Sequence, residues 1–189
     1  MNLDNENLEW ELCNAYFSIL EISKTSKVSL EKLCVEAKTS REEVEKIVPN
    51  NSMDYRIFFL KILISKLDKE ALSELQLDIA DDTISSTYDK ILEGLSLRFE
   101  KYFHYKQSLK ILSGNSKQRI QVFLEVFREN YNFTSNLLTL IEKDQNCLIK
   151  TLKSLALNIV FTKSLEIFFN DENKDIDAVI RYLDKYLSD

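Results

Sequence analysis

Two glycines and one proline in 189 residues leave little with which to build the tight turns of hairpins, sandwiches or barrels, which depend on both residue types. Helices joined by short polar loops need few of either, so the fold expected is all-α. The chain has a single histidine, His104, and three cysteines, Cys13, Cys34 and Cys147, with no CxxC spacing. That leaves a histidine-based metal site and Ser-His or Cys-His couples little to draw on. No metal, no cofactor and no catalysis are expected. The cysteines fall within apolar helical patterns, where they act as small hydrophobes, and they imply a reducing, cytoplasmic compartment.

Long apolar runs are missing too. Ile57 to Leu60 and Ile62 to Ile64 are cut by lysine well short of the roughly 20 residues that span a bilayer. The start, MNLDNENLEWEL, is acidic and lacks the basic and apolar regions of a secretory signal. A formal charge of -6 gives no general attraction to nucleic acid or to an anionic membrane.

What the sequence does contain is helical periodicity. Leu8, Leu12, Ala15, Tyr16 and Ile19 make one stripe of a first helix. Ser26 lies in the loop that follows, and Ser29 is an N-cap for a second helix carrying Leu30, Leu33, Cys34 and Ala37. Ser40 and Glu43 form a capping box for a short third helix with Val44, Ile47 and Val48, which Pro49 stops. A turn of about four residues between the last two has helix-turn-helix proportions. Longer helices follow: Tyr55 to Leu77, then one started by Asp81, Asp82 and Thr83 that runs to Tyr102. A shorter helix, His104 to Leu112, is closed by a left-handed Gly114. Next comes one long helix, Lys117 to Ile141, whose stretch Asn130 to Asn136 is polar enough to allow a break. In the helix from Cys147 to Phe169, Leu148, Leu152, Leu155, Ala156, Ile159 and Val160 make the main stripe. The last helix carries Ile176, Val179, Ile180, Leu183 and Leu187. The domains expected are a head over 1–52 and a bundle over 53–189.

Ser29-Leu30, Leu33-Cys34, Ala37-Lys38-Thr39-Ser40, Val44, Ile47, Val48 and Pro49 resemble the head of TetR-family regulators. The run YDKILEGLSLRFEKYFHYKQSLKIL, from Tyr88 to Leu112, resembles a segment of α-proteobacterial TetR-like proteins. The closing run Leu152 to Leu187, with FFNDENKDI inside it, is similar to the last two helices shared by that group and by COQ9-like proteins. The resemblance implies about nine helices and leaves two functions open. One is a homodimeric transcriptional regulator that binds a double-stranded DNA operator and is relieved by a small apolar effector. The other is a lipid- or isoprenoid-binding accessory with a degenerate helix-turn-helix.

The cations available to a DNA-binding head are Lys24, Lys27, Arg41 and Lys46, with Ser29 and Ser40 adding helix N-terminal contacts to phosphate. Lys38 replaces the turn glycine of the resembling family, Glu45 its usual tyrosine, and Asn51 a common lysine. Glu42, Glu43 and Glu45 would face phosphate charge. The aromatics on helices that surround an effector cavity in that family are Phe59, Tyr88, Phe99, Tyr102, Phe123, Phe127, Tyr131 and Phe161, alongside Phe58. Helical aromatic stripes also simply pack. The last two helices have apolar character on two sides, notably at Leu157 and Ile167. The dimer interface expected is Leu157, Val160, Ile167, Ile176, Val179, Ile180 and Leu183.

Overall fold

The computed structural model describes residues 3–25, 27–48, 55–114, 119–142, 146–173 and 175–188. Ser26, Pro49, Asn51, Lys117 and Lys174 lie outside the described residues. Within them the chain is all-α, with nine helices and no strand: α1 (Leu3–Ser23), α2 (Leu30–Glu36), α3 (Arg41–Ile47), α4 (Tyr55–Asp78), α5 (Thr87–Phe103), α6 (Lys106–Ser113), α7 (Arg119–Ile141), α8 (Cys147–Asn170) and α9 (Asp177–Leu187). None of these helices is long and apolar enough to cross a membrane.

Two compact units are present. The first comprises 1–65 and 107–125, the second 66–106 and 126–189. The first break therefore falls at Ser65 rather than at residue 52. The start of α4 belongs with the head for a physical reason: Phe59 is buried and stacks on Tyr16 of α1 with ring centroids 4.9 Å apart. The Cys13 thiol donates to the Phe59 carbonyl at 3.4 Å. α6 joins the same unit, where the Ser108 hydroxyl donates to the Phe17 carbonyl at 3.0 Å. Leu12 and Leu20 of α1, Leu33 of α2 and Val44 of α3 complete this core.

In the second unit α9 packs against α5 and α8. Phe99 of α5 stacks on Phe161 of α8 at 4.5 Å and touches Phe168 at 5.2 Å, and Val179 and Leu183 of α9 are buried. Burying each such side chain stabilises the fold by about 1.5–3 kcal/mol. Gly94 allows close approach here, since a Cβ would meet Leu137 Cδ1 at 2.5 Å and Leu75 Cδ2 at 3.0 Å.

Two local expectations are corrected and a third is narrowed. α5 starts at a capping box of Ser86 and Asp89 rather than at Asp81 to Thr83; Asp82 instead accepts from the amides of Ile84 and Ser85 in the preceding turn. Gly114 is not left-handed, and α6 closes with an ordinary bond from its amide to the Lys110 carbonyl at 3.2 Å. α7 runs unbroken through Asn130 to Asn136, with Asn130 and Thr134 turned inward, where Asn130 Nδ2 donates to the Thr162 hydroxyl at 3.5 Å and the Thr134 hydroxyl to the Ser154 carbonyl at 3.1 Å.

Candidate functional site

The head builds its turn from local hydrogen bonds. Ser29 caps α2 by accepting from the Lys32 amide at 3.3 Å. α2 ends with the Ala37 amide donating to the Leu33 carbonyl at 2.9 Å, and the Thr39 amide reaches the Cys34 carbonyl at 3.1 Å. Between them Lys38 takes φ 53, the left-handed region that costs a residue with a Cβ but not glycine. The chain then re-enters a helix at Ser40, whose hydroxyl accepts from the Glu43 amide at 3.3 Å while Glu43 accepts from the Ser40 amide at 3.0 Å.

On α3 Val44 is buried, and Arg41, Glu42, Glu43, Glu45 and Lys46 are exposed. Two cations thus stand against three carboxylates. Glu43 is committed to the helix start: it also accepts from the Thr39 hydroxyl at 2.7 Å, and these donors draw its pKa down to about 2. Arg41 Nε is paired with Glu45 at 2.7 Å in an exposed i, i+4 ion pair, a weak, solvent-screened interaction that a phosphate can displace. Lys24, Lys27, Ser29, Ser40, Arg41 and Lys46 are all exposed, and Lys24 is the other left-handed residue, with φ 49.

The eight aromatics expected around an effector cavity lie in different settings. They divide between the two units. Phe59, Phe99, Tyr102 and Phe161 are buried against other side chains and belong to the packed core. Phe127 and Tyr131 are half-buried, and Phe123 is exposed. Tyr88 lines a groove of about 290 Å³ in the second unit, together with Ile91, Leu138, Ala156, Leu157 and Leu187. The Tyr88 hydroxyl donates to Asp184 Oδ1 at 2.5 Å, and that acceptor holds the phenol proton on, raising its pKa. Lys153 and Glu142, paired at 2.9 Å, also line the groove. The result is an apolar trough with a polar rim, suited to a small apolar ligand that carries one or two hydrogen-bonding groups.

The expected dimer residues are placed differently from the expectation. Leu157, Ile176, Val179 and Leu183 are buried within the chain's own second unit, and Val160, Ile167 and Ile180 are half-buried. Of the main stripe of this helix, Leu148, Leu152, Leu155, Ala156 and Ile159 are exposed, together with Ile149, and Val160 is half-buried. α8 is turned about because its buried face carries Ser154, Asn158 and Ser164. The Thr134 hydroxyl of α7 donates to the Ser154 carbonyl at 3.1 Å, and Asn158 Nδ2 donates to the Phe127 carbonyl at 3.1 Å.

One buried cluster lies outside the apolar stripes. Arg98 of α5 is wholly buried and donates through Nε and Nη2 to both oxygens of Asp68 at 2.6 and 2.8 Å. The Tyr102 hydroxyl donates to the same carboxylate at 2.9 Å. The guanidinium lies over the rings of Phe133 and Phe161, 4.3 and 4.4 Å from their centroids. Those two phenylalanines sit in twin N-x-x-F-T segments, Asn130 to Thr134 and Asn158 to Thr162. An arginine in step with Leu95 and Tyr102, and an aspartate in step with Ala71 and Leu75, are the traces of such a pair.

His104 is exposed and caps the end of α5. Among the described residues no cluster of His, Cys, Asp and Glu could hold a metal ion. Cys147, expected within an apolar pattern, is exposed, whereas Cys13 is buried and its thiol is pushed far up by desolvation. No family model, curated protein or solved structure matches this chain.

Proposed function

We propose that the chain is a TetR-like helix-turn-helix regulator that acts as a homodimer and captures a small apolar effector in its bundle. The observation that carries this reading is the turn between α2 and α3. Lys38 adopts the left-handed conformation at the position where the resembling heads have glycine, and a capping box starts the next helix two residues later. Arg41 and Lys46 on α3, with Lys24 and Lys27 before α2, are the groups offered to phosphates and base edges. The groove beside Tyr88 is the effector site. The exposed stripe of α8 is the self-association face, in a two-fold arrangement. Effector capture shifts the separation of the two heads away from the half-site spacing, and operator affinity falls.

A second reading is favoured by the charge balance of α3, where Glu42 and Glu45 oppose the two cations. In it the chain is a COQ9-like accessory that keeps the fold, carries a lipid or isoprenoid and does not bind DNA. A gel-shift series against the DNA upstream of its own gene separates the two. A regulator binds a discrete fragment, with log affinity falling linearly in log salt by about 0.9 for each phosphate contacted. Arg41→Ala with Lys46→Ala abolishes the shift. Absence of any shift, with an apolar molecule retained by the purified protein in native mass spectrometry, establishes the accessory instead.

A further inference from the structure

We propose that the groove between α1 and α2 is a docking site for a basic amphipathic helix of a partner protein. The groove encloses about 410 Å³ and lies within the first unit. Ile19 forms its buried floor, and Ile22 and Val35 form walls that are 75% and 79% exposed. Isolated exposed aliphatics are ordinary. Here two of them face one trough from the last turns of two different helices, which makes a pair of anchor surfaces for apolar side chains at helical spacing. β-branched residues are poorer helix formers than Leu, Lys or Glu, so Ile22 and Val35 contribute little to the folded chain unless something covers them.

The rim sets the charge of the occupant. Glu31 and Glu36 line the groove against Lys32 alone, and Glu21 stands exposed beside Ile22. Glu36 is fixed in place, accepting from the Ser18 hydroxyl at 2.8 Å. Glu31 is held ionised by its own backbone amide and the Ser29 hydroxyl. An apolar trough with carboxylates at its edge complements a helix with leucine-like anchors on one side and Lys or Arg flanking them, and it repels phosphate and acidic peptides. No residue of α3 lines the groove, although Glu31 on its rim lies close enough to Arg41 for the two charges to interact.

The test uses the full chain and two fluorescein-labelled synthetic 14-residue peptides. One has leucines on a single helical stripe with lysine elsewhere; the other has glutamate in place of every lysine. Binding is followed by fluorescence anisotropy, and circular dichroism checks that each variant is folded. The lysine peptide is expected to bind. Ile22→Ser with Val35→Ser, and separately Glu31→Gln with Glu36→Gln, each weaken it by about tenfold or more. Glu93→Gln with Glu100→Gln, which removes the same charge from exposed positions of α5, changes it less than twofold. The proposal is overturned if the two peptides bind alike, if the serine variant binds like the parent, or if the α5 control loses as much affinity. It is equally overturned if sedimentation shows that the serine variant turns a dimer into a monomer, because the occupant is then a second copy of this chain.

Discussion

Replacing Asp68 by alanine removes the only anion that the buried Arg98 guanidinium is hydrogen-bonded to among the described residues. The charge cannot escape to water, because Arg98 has no exposed surface, and arginine does not deprotonate to relieve it. Its Nη1 already lies buried without a hydrogen-bond partner. The rings of Phe133 and Phe161 supply cation-π stabilisation of about 2 kcal/mol or more for a desolvated pair, but they are in place before and after the substitution and accept none of the hydrogen bonds that Asp68 did. Breaking one side of such a pair costs about 3–5 kcal/mol, a large part of the roughly 5–15 kcal/mol that holds a domain folded. With a urea slope near 2 kcal/mol per molar, the unfolding midpoint falls by about 2 M. Asp68→Leu combined with Arg98→Met removes both charges and leaves a flexible apolar chain between the two rings. Because the Tyr102 hydroxyl then loses its acceptor, at a cost of about 1–3 kcal/mol, that variant is expected to lie close to the parent and well above the single variant. Urea titrations followed by far-ultraviolet circular dichroism measure both. A loss below about 1 kcal/mol in the single variant, or a double variant no more stable than the single, refutes the view that pairing rather than packing is what this site needs.

Lys38→Gly relieves a left-handed residue and is expected to raise stability by about 0.5–1 kcal/mol, or roughly 2–4 °C in Tm per kcal/mol for a chain of this size; Ala37→Gly, at φ -79, lowers Tm. Glu43 and Asp82 are both held ionised by amide and hydroxyl donors, at pKa values of about 2 against ordinary values of 4.5 and 3.8. Because both are depressed on folding, the stability they confer is complete above the ordinary values and is lost as pH falls from about 4.5 towards 2. The double variant Glu43→Gln with Asp82→Asn therefore shows a flatter Tm profile over that window, read by thermal melts at several pH values. If the proposed self-association uses the exposed stripe of α8, Leu152→Glu on that stripe leaves the helical dichroism intact and shifts sedimentation from dimer to monomer. Val179→Glu, at a position 1% exposed, lowers stability outright.

The head was legible because its signals are local. Ser29, Ser40 and Glu43 each act within four residues of themselves, and the structure uses each in the role its spacing indicates. The start of α5 carried the same S-x-x-D signature at Ser86 and Asp89, but the acidic cluster just before it competed for the assignment. The left-handed positions were harder to find. Glycine marks such sites when it is present, yet here they fall on Lys24 and Lys38 while Gly114 stays right-handed, so tertiary context rather than residue type decides them. The aromatic stripes established burial, but not whether a ring packs against protein or lines space. Phe99 and Tyr88 lie on the same helix, and what separates them is the neighbour each meets: Phe161 for one, the Asp184 carboxylate for the other.

α8 shows why hydrophobicity alone gave the wrong face. Its leucines and isoleucines at 148, 152, 155 and 159 keep helical spacing as well as any core stripe, and the opposite face alternates Ser154, Asn158 and Ser164 with Leu157, Phe161 and Phe168. A polar residue enters a core at least cost when its hydrogen bonds are made there: Asn158 Nδ2 donates to the Phe127 carbonyl of α7, Asn130 Nδ2 of α7 donates to the Thr162 hydroxyl at 3.5 Å, and the Ser164 hydroxyl donates to the Phe161 carbonyl of its own helix, while Ser154 meets α7 only through its backbone carbonyl, which accepts from Thr134. The same two helices also supply the rings that hold Arg98. Polar pairing therefore specifies how α7 and α8 register on each other, a task that leucines, which fit many registers, perform less selectively. The stripe left outside has no such internal task, and exposed apolar residues in helical step are what a second helix of the same kind covers with gain.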